Sequence, residues 1–418
     1  MTNYFKNNHV FLFFLTVNLL SLIGVWLNYQ VSLVFSFLAF IYLLLNGTKV
    51  LGTLFSKNSF FFLLFLFFEL ISCSNYFLNS YSRSILIEFP VFLVQGISYI
   101  IIPQLLFYYL GFNNAKREDY KTNLFQITNL FAIAYLFGIY LHFFRPDYFN
   151  AFIERVILSD PNTGYKIYYP KLTIYWNSMI VGVLGVAIFW FSVFTNRCNL
   201  FFKAIYSLVF IISILFSTQR GAWLSFIISC LVFFLLNFNI KKTFKYFRYI
   251  LLFYFFIVTI FNFIRVEQFQ DIFQDVYNKF ELLDGALNER SYQYDNFVKI
   301  IMDYPLGVGL GLLTNKAADL GLLLTTPDGN YYRIFGELGI LGIISFVLLL
   351  INSLYKSYKM IFKLFFVILI VYIIQAVGTN VFDIYAASFL FWYIIGFVNG
   401  VDNITEFNSK ELIYNNLH

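Results

Sequence analysis

The sequence is poor in the side chains from which soluble enzymes usually build their sites. Only 12% of its 418 residues are charged, and it contains three cysteines and three histidines. Cys73, Cys198 and Cys230 lie in or beside apolar segments without a paired spacing, which argues against a disulfide framework and a metal site. Because the histidines are scattered as well, we predict neither a metal centre nor another cofactor.

Apolar residues take the place of the missing charges. They make up 60% of the chain, and apolar runs of about 18 or more residues recur, each long enough to cross a hydrocarbon core about 30 Å thick as a helix. The net charge of +6 therefore indicates basic cytoplasmic loops rather than nucleic-acid binding. The predicted fold class is an all-α polytopic membrane protein.

About twelve transmembrane helices are predicted. Lys and Arg residues concentrate on one side of these spans, which predicts that both termini lie in the cytoplasm. Loops 145–171 and 265–330 then lie on the outer face, the larger one between spans nine and ten. The predicted organisation is spans one to nine in 1–264, the large loop in 265–330, spans ten to twelve in 331–400 and a cytoplasmic tail in 401–418. The predicted spans are 9–27, 30–46, 59–77, 90–110, 123–143, 172–194, 199–216, 221–238, 246–264, 331–353, 361–377 and 381–400.

The turn between predicted spans seven and eight carries a lone arginine. Residues 217–223 read Ser-Thr-Gln-Arg-Gly-Ala-Trp and place Arg220 on the outer face, against the positive-inside pattern. Gly221 would let the backbone approach a ligand closely. The N-terminus of the following helix offers free N–H groups that suit a phosphate. Arg220 is therefore a candidate phosphate ligand; the alternative is an anchor for a helix end among lipid headgroups.

The large loop carries a second arginine and then a glycine-rich run. Residues 288–303, which include Arg290, form a helix-like stretch that Pro305 interrupts, and three glycines follow within 307–311. No strand precedes these glycines and no Gly-Lys-Ser follows them, so a nucleotide-binding loop is not predicted. We instead predict a tight re-entrant turn packed on the membrane helices. Arg290 is a candidate ligand, or alternatively the partner of an acid within the loop.

Polar residues cluster where the loop meets the tenth span. Asp328 is placed to cap the helix or to serve as a general base or substrate anchor. Glu337 lies about two turns into the span, where an acid is costly and usually paired or functional. Arg333 is its predicted partner, and Glu337 is also a candidate substrate-binding residue. Tyr331 in the same junction is a candidate substrate contact.

Two further arginines come from the predicted outer loops. Loop 145–171 mixes charged and aromatic residues, which suits a carbohydrate or headgroup surface but equally suits any solvated loop. Arg155 is its candidate substrate-binding residue, and Arg265 at the start of the large loop is another.

Three motifs together resemble the O-antigen polymerase and O-antigen ligase superfamily of bacterial envelope glycan assembly. They are the turn at 217–223, the run from Arg290 that ends Asp-Tyr-Pro-Leu-Gly-Val-Gly-Leu-Gly at 311, and the stretch 328–342, Asp-Gly-Asn-Tyr-Tyr-Arg-Ile-Phe-Gly-Glu-Leu-Gly-Ile-Leu-Gly. Their order, the large loop between spans nine and ten, and the number of predicted spans are similar to that superfamily. The resemblance covers residues 217–342.

The resemblance implies a GT-C-like glycosyltransferase that acts on the periplasmic, outer face of the bacterial inner membrane and uses lipid-linked donors. The ligase branch typically carries a histidine about two residues before the tyrosine-rich start of the last motif, where this chain has Asp328. The resemblance therefore implies a Wzy-type polymerase of O-antigen or capsule repeat units.

The chemistry implied by the resemblance gives roles to the candidate residues. Arginines suit an undecaprenyl pyrophosphate leaving group because they stay charged and bind phosphate bidentately. We predict Arg220 and Arg290 as pyrophosphate clamps, with Arg265 and Arg333 as further candidates. Asp328 is predicted to orient or deprotonate the acceptor hydroxyl.

Two alternatives remain open from the sequence. One is a ligase that transfers finished glycan to lipid A core or to a protein acceptor. The other is a transporter or flippase of lipid-linked sugars, although the charges lie in outer loops rather than along midplane helices. The predicted partners are the lipid-linked oligosaccharide, the bilayer, a chain-length regulator and a flippase.

Overall fold

The protein is described from a computed structural model, in which every element of the described residues is helical and none is a strand. The structure describes residues 10–17, 30–78, 94–115, 120–144, 178–194, 200–217, 219–236, 294–295, 297–313, 329–360, 363–382 and 385–401. The all-helical prediction is therefore confirmed for these residues.

The α-helices are numbered here in chain order. A 3₁₀-helix at Lys57–Ser59 leads into α3, a π-helix at Val94–Ile101 leads into α4, and residues 10–17 and 297–303 are helical as well. The α-helices are α1 (Gln30–Leu45), α2 (Gly47–Leu54), α3 (Phe60–Leu78), α4 (Ile102–Ala115), α5 (Tyr120–Phe144), α6 (Ser178–Phe194), α7 (Leu200–Phe216), α8 (Arg220–Leu236), α9 (Asn330–Lys359), α10 (Leu364–Gly378) and α11 (Tyr385–Gly400).

Helices occur in every predicted span except the ninth, 246–264, which lies outside the described residues. Two of the described helices are long and apolar enough to cross a bilayer alone, Lys57–Asn75 and Asn330–Lys359. Val34–Leu45 and Gly47–Leu54 add a third span if the pair, bent by 85°, is counted as one. The other apolar helices have 10–17 residues, so twelve complete spans remain a prediction.

The outward faces of the bundle are apolar. Phe37 on α1, Phe67 on α3, Phe137 on α5 and Leu235 on α8 are all more than half exposed. Soluble proteins rarely expose large contiguous apolar surfaces, whereas lipid tails solvate such side chains. By contrast, α6 and α11 are buried along nearly their whole described length, so they form the centre of the bundle.

Helices α4 and α11 are in close backbone contact. A Cβ atom added at Gly396 would lie 2.1 Å from the Tyr108 carbonyl oxygen, and one at Gly400 would lie 2.4 Å from that of Phe112. Gly396 and Gly400 form the Gly-x-x-x-Gly spacing that lets membrane helices approach each other closely. This contact fixes the position of α4, and with it the π-helix that precedes it.

Basic residues mark the end of the bundle at which α9 finishes. Lys356 Nζ lies 3.4 Å from Asn399 Oδ1 near the end of α11. Lys359 and Lys363 lie over the rings of Tyr355 and Tyr358. The orientation predicted from the sequence places this end in the cytoplasm.

We expect Gly396→Ala to destabilise the bundle. The new methyl group would overlap backbone rather than a flexible side chain, and overpacking typically costs about 1–3 kcal/mol. Thermal unfolding of the protein in detergent measures this loss. Gly52→Ala in α2 is the matched control, because nothing lies within 4 Å of its added Cβ; equal melting temperatures for the two variants would contradict the close contact.

Candidate active site

Residues 305–313, called the glycine turn below, follow the helical segment 297–303 and run against α9. Gly307, Gly309 and Gly311 have φ values of +89°, +130° and +84°. Residues with a Cβ atom rarely adopt this left-handed region. The predicted tight turn is therefore present, and its backbone path requires glycine.

Helix α9 is interrupted where the glycine turn meets it. Gly339 has φ 71° and ψ −169° inside a helix that otherwise runs from Asn330 to Lys359. The Ile340 N–H, just past the break, donates to the carbonyl oxygen of Pro305 at 3.0 Å. The proline, which has no N–H of its own, thus contributes an acceptor to the broken helix.

The glycine turn also satisfies carbonyl groups on the first half of α9. The Val308 N–H donates to the Gly336 carbonyl at 2.9 Å, and the Gly309 N–H donates to the Glu337 carbonyl at 3.2 Å. In an unbroken helix, amides four residues further along would occupy these carbonyls. Because the bilayer core offers no water, the turn is what allows α9 to break there.

Helix α3 holds the same junction from a second side. Asn75 Nδ2 donates to the Leu306 carbonyl at 2.9 Å. One turn earlier, Ser72 Oγ donates to the Glu337 carbonyl at 2.7 Å. Both bonds join α3 to residues more than 200 positions away in the sequence, so they fix tertiary rather than local structure.

The π-helix Val94–Ile101 closes a third side of the glycine turn. A Cβ atom at Gly96 would lie 3.3 Å from the Leu310 side chain and 3.4 Å from its carbonyl oxygen. A π-helix is rare and is often found at functional sites. The glycine turn is thus in contact with α3, the π-helix and α9, and the space that these three elements surround is called the socket below.

Glu337 and Arg333 form a buried ion pair at this socket. Arg333 Nη1 lies 3.1 Å from Glu337 Oε2, and the two residues are 3% and 0% exposed. Glu337 Oε1 accepts the Leu313 N–H at 2.9 Å, and Gly311 also donates a backbone hydrogen bond to this carboxylate. The predicted pairing of Arg333 with Glu337 is therefore confirmed, and the carboxylate also binds the glycine turn.

A second buried acid faces this pair from α3. Glu69 is 2% exposed and lies within electrostatic range of both Arg333 and Glu337. Gln104 on α4 faces the Glu69 carboxylate, and its amide nitrogen, oriented towards the acid, lies 3.1–3.2 Å from the two carboxylate oxygens. Three helices thus contribute polar side chains to one cluster, Glu69, Gln104, Arg333 and Glu337, called the buried cluster below.

Sequence reasoning missed the α3 and α4 members of the buried cluster. Glu69 is the single acid in the apolar stretch Phe60–Leu78. The rule that singled out Glu337, an acid within a membrane helix, applies to Glu69 equally well. Gln104 carried no comparable signal, because an uncharged amide in an apolar helix is common.

Side-chain hydrogen bonds from Ser217 and Trp223 flank the connection between α7 and α8, next to Arg220. Ser217 Oγ donates to the Ile214 carbonyl at 2.7 Å, and Trp223 Nε1 donates to the same carbonyl at 2.9 Å. A Cβ atom at Gly182 of α6 would lie 2.7 Å from Ala222 Cβ, so α6 packs directly beneath the turn. The serine, alanine and tryptophan of the motif therefore shape the turn.

Arg220 itself is held differently from Arg333. It is the first residue of α8 and is only partly buried. Within the described part of the chain, no ion pair or side-chain hydrogen bond involves its guanidinium group. Arg220 thus differs from Arg333, whose guanidinium group binds Glu337.

Contacts through α10 place Arg220 and the start of α9 at the same end of the bundle. Gln375 Nε2, near the end of α10, donates to Ser225 Oγ near the start of α8 at 2.8 Å. Just beyond α10, Asn380 Oδ1 accepts the Gly329 N–H at 3.2 Å. This end also receives the glycine turn, because Gly329 and that turn lie on the same half of α9.

Two neighbouring tyrosines at the start of α9 have different surroundings. Tyr331 is directed towards α10, and its hydroxyl donates to the Ile373 carbonyl at 3.0 Å. Tyr332 forms an edge-to-face pair with Tyr294, with ring centres 5.3 Å apart, and its hydroxyl lies 3.3 Å from that of Tyr294. The more accessible aromatic pair at this end is therefore Tyr294 and Tyr332, which the sequence analysis did not single out.

Four of the predicted site residues, Arg155, Arg265, Arg290 and Asp328, lie outside the described residues. Their roles remain predictions. Gly329, next to Asp328, occupies the cap position of α9 and offers no capping side chain. Among the described residues, no group of three or more His, Cys, Asp or Glu side chains is placed to hold a metal ion.

We expect Arg333→Leu and Glu337→Leu each to destabilise the protein strongly. Each change leaves a buried charge without its partner, which typically costs about 3–5 kcal/mol. The double variant should lose clearly less than the sum of the two, because it removes both charges. Thermal unfolding in detergent measures the three losses, and strict additivity would show that the pair is not energetically coupled.

Comparison with known proteins shows which family part of the chain resembles. Residues 205–347, roughly a third of the chain, match the family model described as O-antigen ligase. No curated protein and no solved structure matches the chain. The matched segment contains Arg220, the glycine turn and the Arg333–Glu337 pair, in the order that the sequence resemblance predicted. Over residues 205–347 the chain is therefore similar to the O-antigen ligase family, which supports the resemblance to the O-antigen ligase and polymerase superfamily.

Proposed function

We propose that this protein polymerises lipid-linked oligosaccharide repeat units into O-antigen or capsular polysaccharide. The reaction takes place on the outer face of the bacterial inner membrane. The observation that carries the proposal is the arrangement at one end of the bundle. An arginine without a described partner, the glycine turn and the start of α9 occur there together, within the segment that matches the family model.

The reaction transfers a growing glycan between lipid carriers. The acceptor hydroxyl of one lipid-linked repeat unit attacks the anomeric carbon of the donor glycan, and the bond from that carbon to the donor's pyrophosphate oxygen breaks. The hydroxyl proton passes to a base, and undecaprenyl pyrophosphate leaves. Nucleotide sugars are absent from this side of the membrane, so the pyrophosphate linkage supplies the free energy.

Arg220 is the residue proposed to stabilise the leaving group. Arg220 is the first residue of a 17-residue helix, where free backbone N–H groups add positive potential. Negative charge grows on the pyrophosphate as the bond breaks, so fixed positive groups lower the barrier. Arg290 is proposed as the second clamp, and Arg265 and Arg155 as further contacts with the substrate.

Arg333 and Glu337 are proposed to position the site rather than to contact the substrate. The Arg333 guanidinium group forms an ion pair with Glu337. Both carboxylate oxygens of Glu337 have partners, and the residue is fully buried. A general base needs to reach the proton it removes. Asp328, next to the anchored Gly329, is therefore the proposed base, and Glu337 is a poor substitute for it.

The aromatic pair formed by Tyr294 and Tyr332 is proposed to contact the sugar. Partly exposed tyrosines offer an apolar ring together with a hydroxyl group, which matches the mixed apolar and polar surface of a pyranose. Phe297 packs edge-on against Tyr332, with ring centres 5.2 Å apart, and holds it in place.

A polymerase is favoured over a ligase by the residues present before α9. The ligase branch of the superfamily typically carries a histidine there, whereas this chain has no histidine between His142 and His418. A chain-length regulator and a flippase are the proposed partners. The ligase and a transporter of lipid-linked sugars are the alternatives that the experiments below separate.

We expect deletion of the gene to remove the ladder of long glycan chains and to leave core carrying one repeat unit. Gel separation of surface glycan from the deletion strain measures this. Loss of all surface glycan with accumulation of lipid-linked polymer would instead indicate a ligase. An unchanged ladder would contradict both and favour a transporter.

In the same strain, Arg220→Ala should reduce chain elongation by about 100-fold or more, the usual effect of losing a group that stabilises transition-state charge. Arg220→Lys should restore only part of the activity, because lysine lacks the bidentate geometry. Lys203→Ala is the matched control, since it removes a cation near the other end of the same helical hairpin. Wild-type ladders from Arg220→Ala would rule out its role as a clamp.

We expect Asp328→Asn to abolish elongation while protein abundance in the membrane stays unchanged. The amide preserves the size of the side chain but cannot accept the proton of the acceptor hydroxyl. Ladder analysis measures elongation and immunoblotting measures abundance. Wild-type elongation from Asp328→Asn would remove it as the base.

A further inference from the structure

The start of α9 and the segment that follows α10 are joined by two reciprocal hydrogen bonds. Asn380 Oδ1 accepts the Gly329 N–H at 3.2 Å, and Asn330 Oδ1 accepts the Phe382 N–H at 2.9 Å. Each asparagine thus supplies a side-chain acceptor to the backbone of the other segment. Asn330 and Asn380 together are called the asparagine clasp below. Its partners are 51 and 52 positions apart, so the clasp fixes tertiary structure.

Neither asparagine takes part in the chemistry proposed above. Asn330 is fully buried, whereas Asn380 is partly buried. Asn330 belongs to the segment 205–347 that matches the family model, and Asn380 lies beyond that segment. The first N–H groups of a helix have no partner within the helix, and Gly329 has no side chain with which to cap α9. The acceptor therefore comes from a distant part of the chain.

Gly329 lies in close backbone contact with the end of α10. Its φ of +138° favours glycine, and a Cβ atom added to it would lie 2.5 Å from the Val377 carbonyl oxygen. Its own carbonyl oxygen accepts the Arg333 N–H at 3.3 Å, within the first turn of α9. The backbone of Gly329 is therefore held on both sides, at its N–H by Asn380 and at its carbonyl by α9.

The N–H group that Asn380 holds belongs to the peptide bond between Asp328 and Gly329. Asp328 is the proposed base, and a base has to come within hydrogen-bond reach of the proton that it removes. A displacement of about 1 Å can lower a rate by about a hundredfold. Holding this peptide bond therefore restrains the position of the residue that carries the base.

The end of α10 also contacts the helix that begins with Arg220. Gln375 Nε2 donates to Ser225 Oγ on α8 at 2.8 Å. Thr379 Oγ1 donates to the Gln375 carbonyl at 2.7 Å, which ties the residue before Asn380 to the last turn of α10. One short segment of the chain therefore contacts both the helix of the proposed leaving-group clamp and the start of α9.

We infer that Asn380 is a positioning residue for the proposed reaction and that it acts through the Gly329 N–H. It holds the point at which the chain enters α9 in a fixed relation to α8. The inference rests on the proposed function for its effect on elongation, whereas the hydrogen bond itself is measured independently.

Hydrogen–deuterium exchange of the full-length protein in detergent reports the clasp directly. Asn380→Ala removes the acceptor of the Gly329 N–H, so exchange of this amide should accelerate about fivefold to tenfold, the factor that corresponds to one net hydrogen bond. Asn330→Ala should accelerate exchange at Phe382 in the same way. Each substitution thus acts on the other segment, which a purely local change would not do.

Elongation kinetics separate positioning from substrate binding. The assay uses the protein in proteoliposomes and lipid-linked repeat units extracted from the deletion strain. In Asn380→Ala, kcat should fall about tenfold to a hundredfold while KM stays within about twofold. Asn380→Asp keeps an oxygen that can accept the Gly329 N–H, so it should restore both slow exchange and most of kcat.

Asn352→Ala is the matched control. Asn352 also lies on α9 and joins it to another helix through its side chain, with Nδ2 donating to Asn399 Oδ1 at 3.2 Å, but it lies in the opposite half of α9. It should change neither exchange at Gly329 nor kcat. An equal fall of kcat in Asn352→Ala would overturn the specific role of Asn380.

Unchanged exchange at Gly329 in Asn380→Ala would also overturn the inference, and so would faster exchange with wild-type kcat. A loss of kcat that Asn380→Asp does not restore would overturn it as well. If the wild type itself elongates no glycan, the proposed function fails and the positioning role fails with it, while exchange still shows whether the hydrogen bond is present.

Discussion

The structure depends on one exchange of backbone hydrogen bonds. Helix α9 gives up its regular pattern at Gly339, and the glycine turn supplies partners for the groups that are released. Inside a bilayer, a break of this kind is tolerated only where other protein groups satisfy the backbone. The turn and the break therefore require each other, and neither would persist alone in an apolar environment.

The buried cluster makes this arrangement specific. Glu337 contributes its carboxylate to Arg333 and Leu313, and its carbonyl to Gly309 and Ser72. One residue thus links an ion pair, the turn and α3. Hydrogen bonds to a charged group are among the stronger ones in proteins, so residues 305–313 are attached to the bundle at a well-defined point.

Much of this fold could be predicted from sequence, because each membrane helix is marked by its own continuous run of apolar residues. Apolar runs located α3 and α9 to within a few residues, and the spacing of Arg333 and Glu337 predicted their pairing on one helix face. The glycines of 307–311 predicted a turn, since few other residues adopt such a backbone. The π-helix before α4 and the 85° bend between α1 and α2 left no comparable local signal.

The contacts between distant helices could not be predicted in the same way. Asn75 meets Leu306, and Gln104 meets Glu69, only because the bundle folds, and no periodic pattern encodes such partners. Among the arginines, both Arg220 and Arg333 were plausible ligands from sequence. The sequence predicted that Arg333 pairs with Glu337, and the structure adds that this pair is buried whereas Arg220 is only partly buried at the start of α8.

The buried cluster also divides unevenly between the two parts of the chain. Arg333 and Glu337 belong to the segment 205–347 shared with the family, whereas Glu69 and Gln104 come from helices that precede it. A chimaera that receives this segment from a relative would therefore inherit only two of the four residues of the buried cluster. Compatibility between the halves would depend on the polar face of α3, so such a chimaera should fold more readily when the first helices are transferred together with the segment.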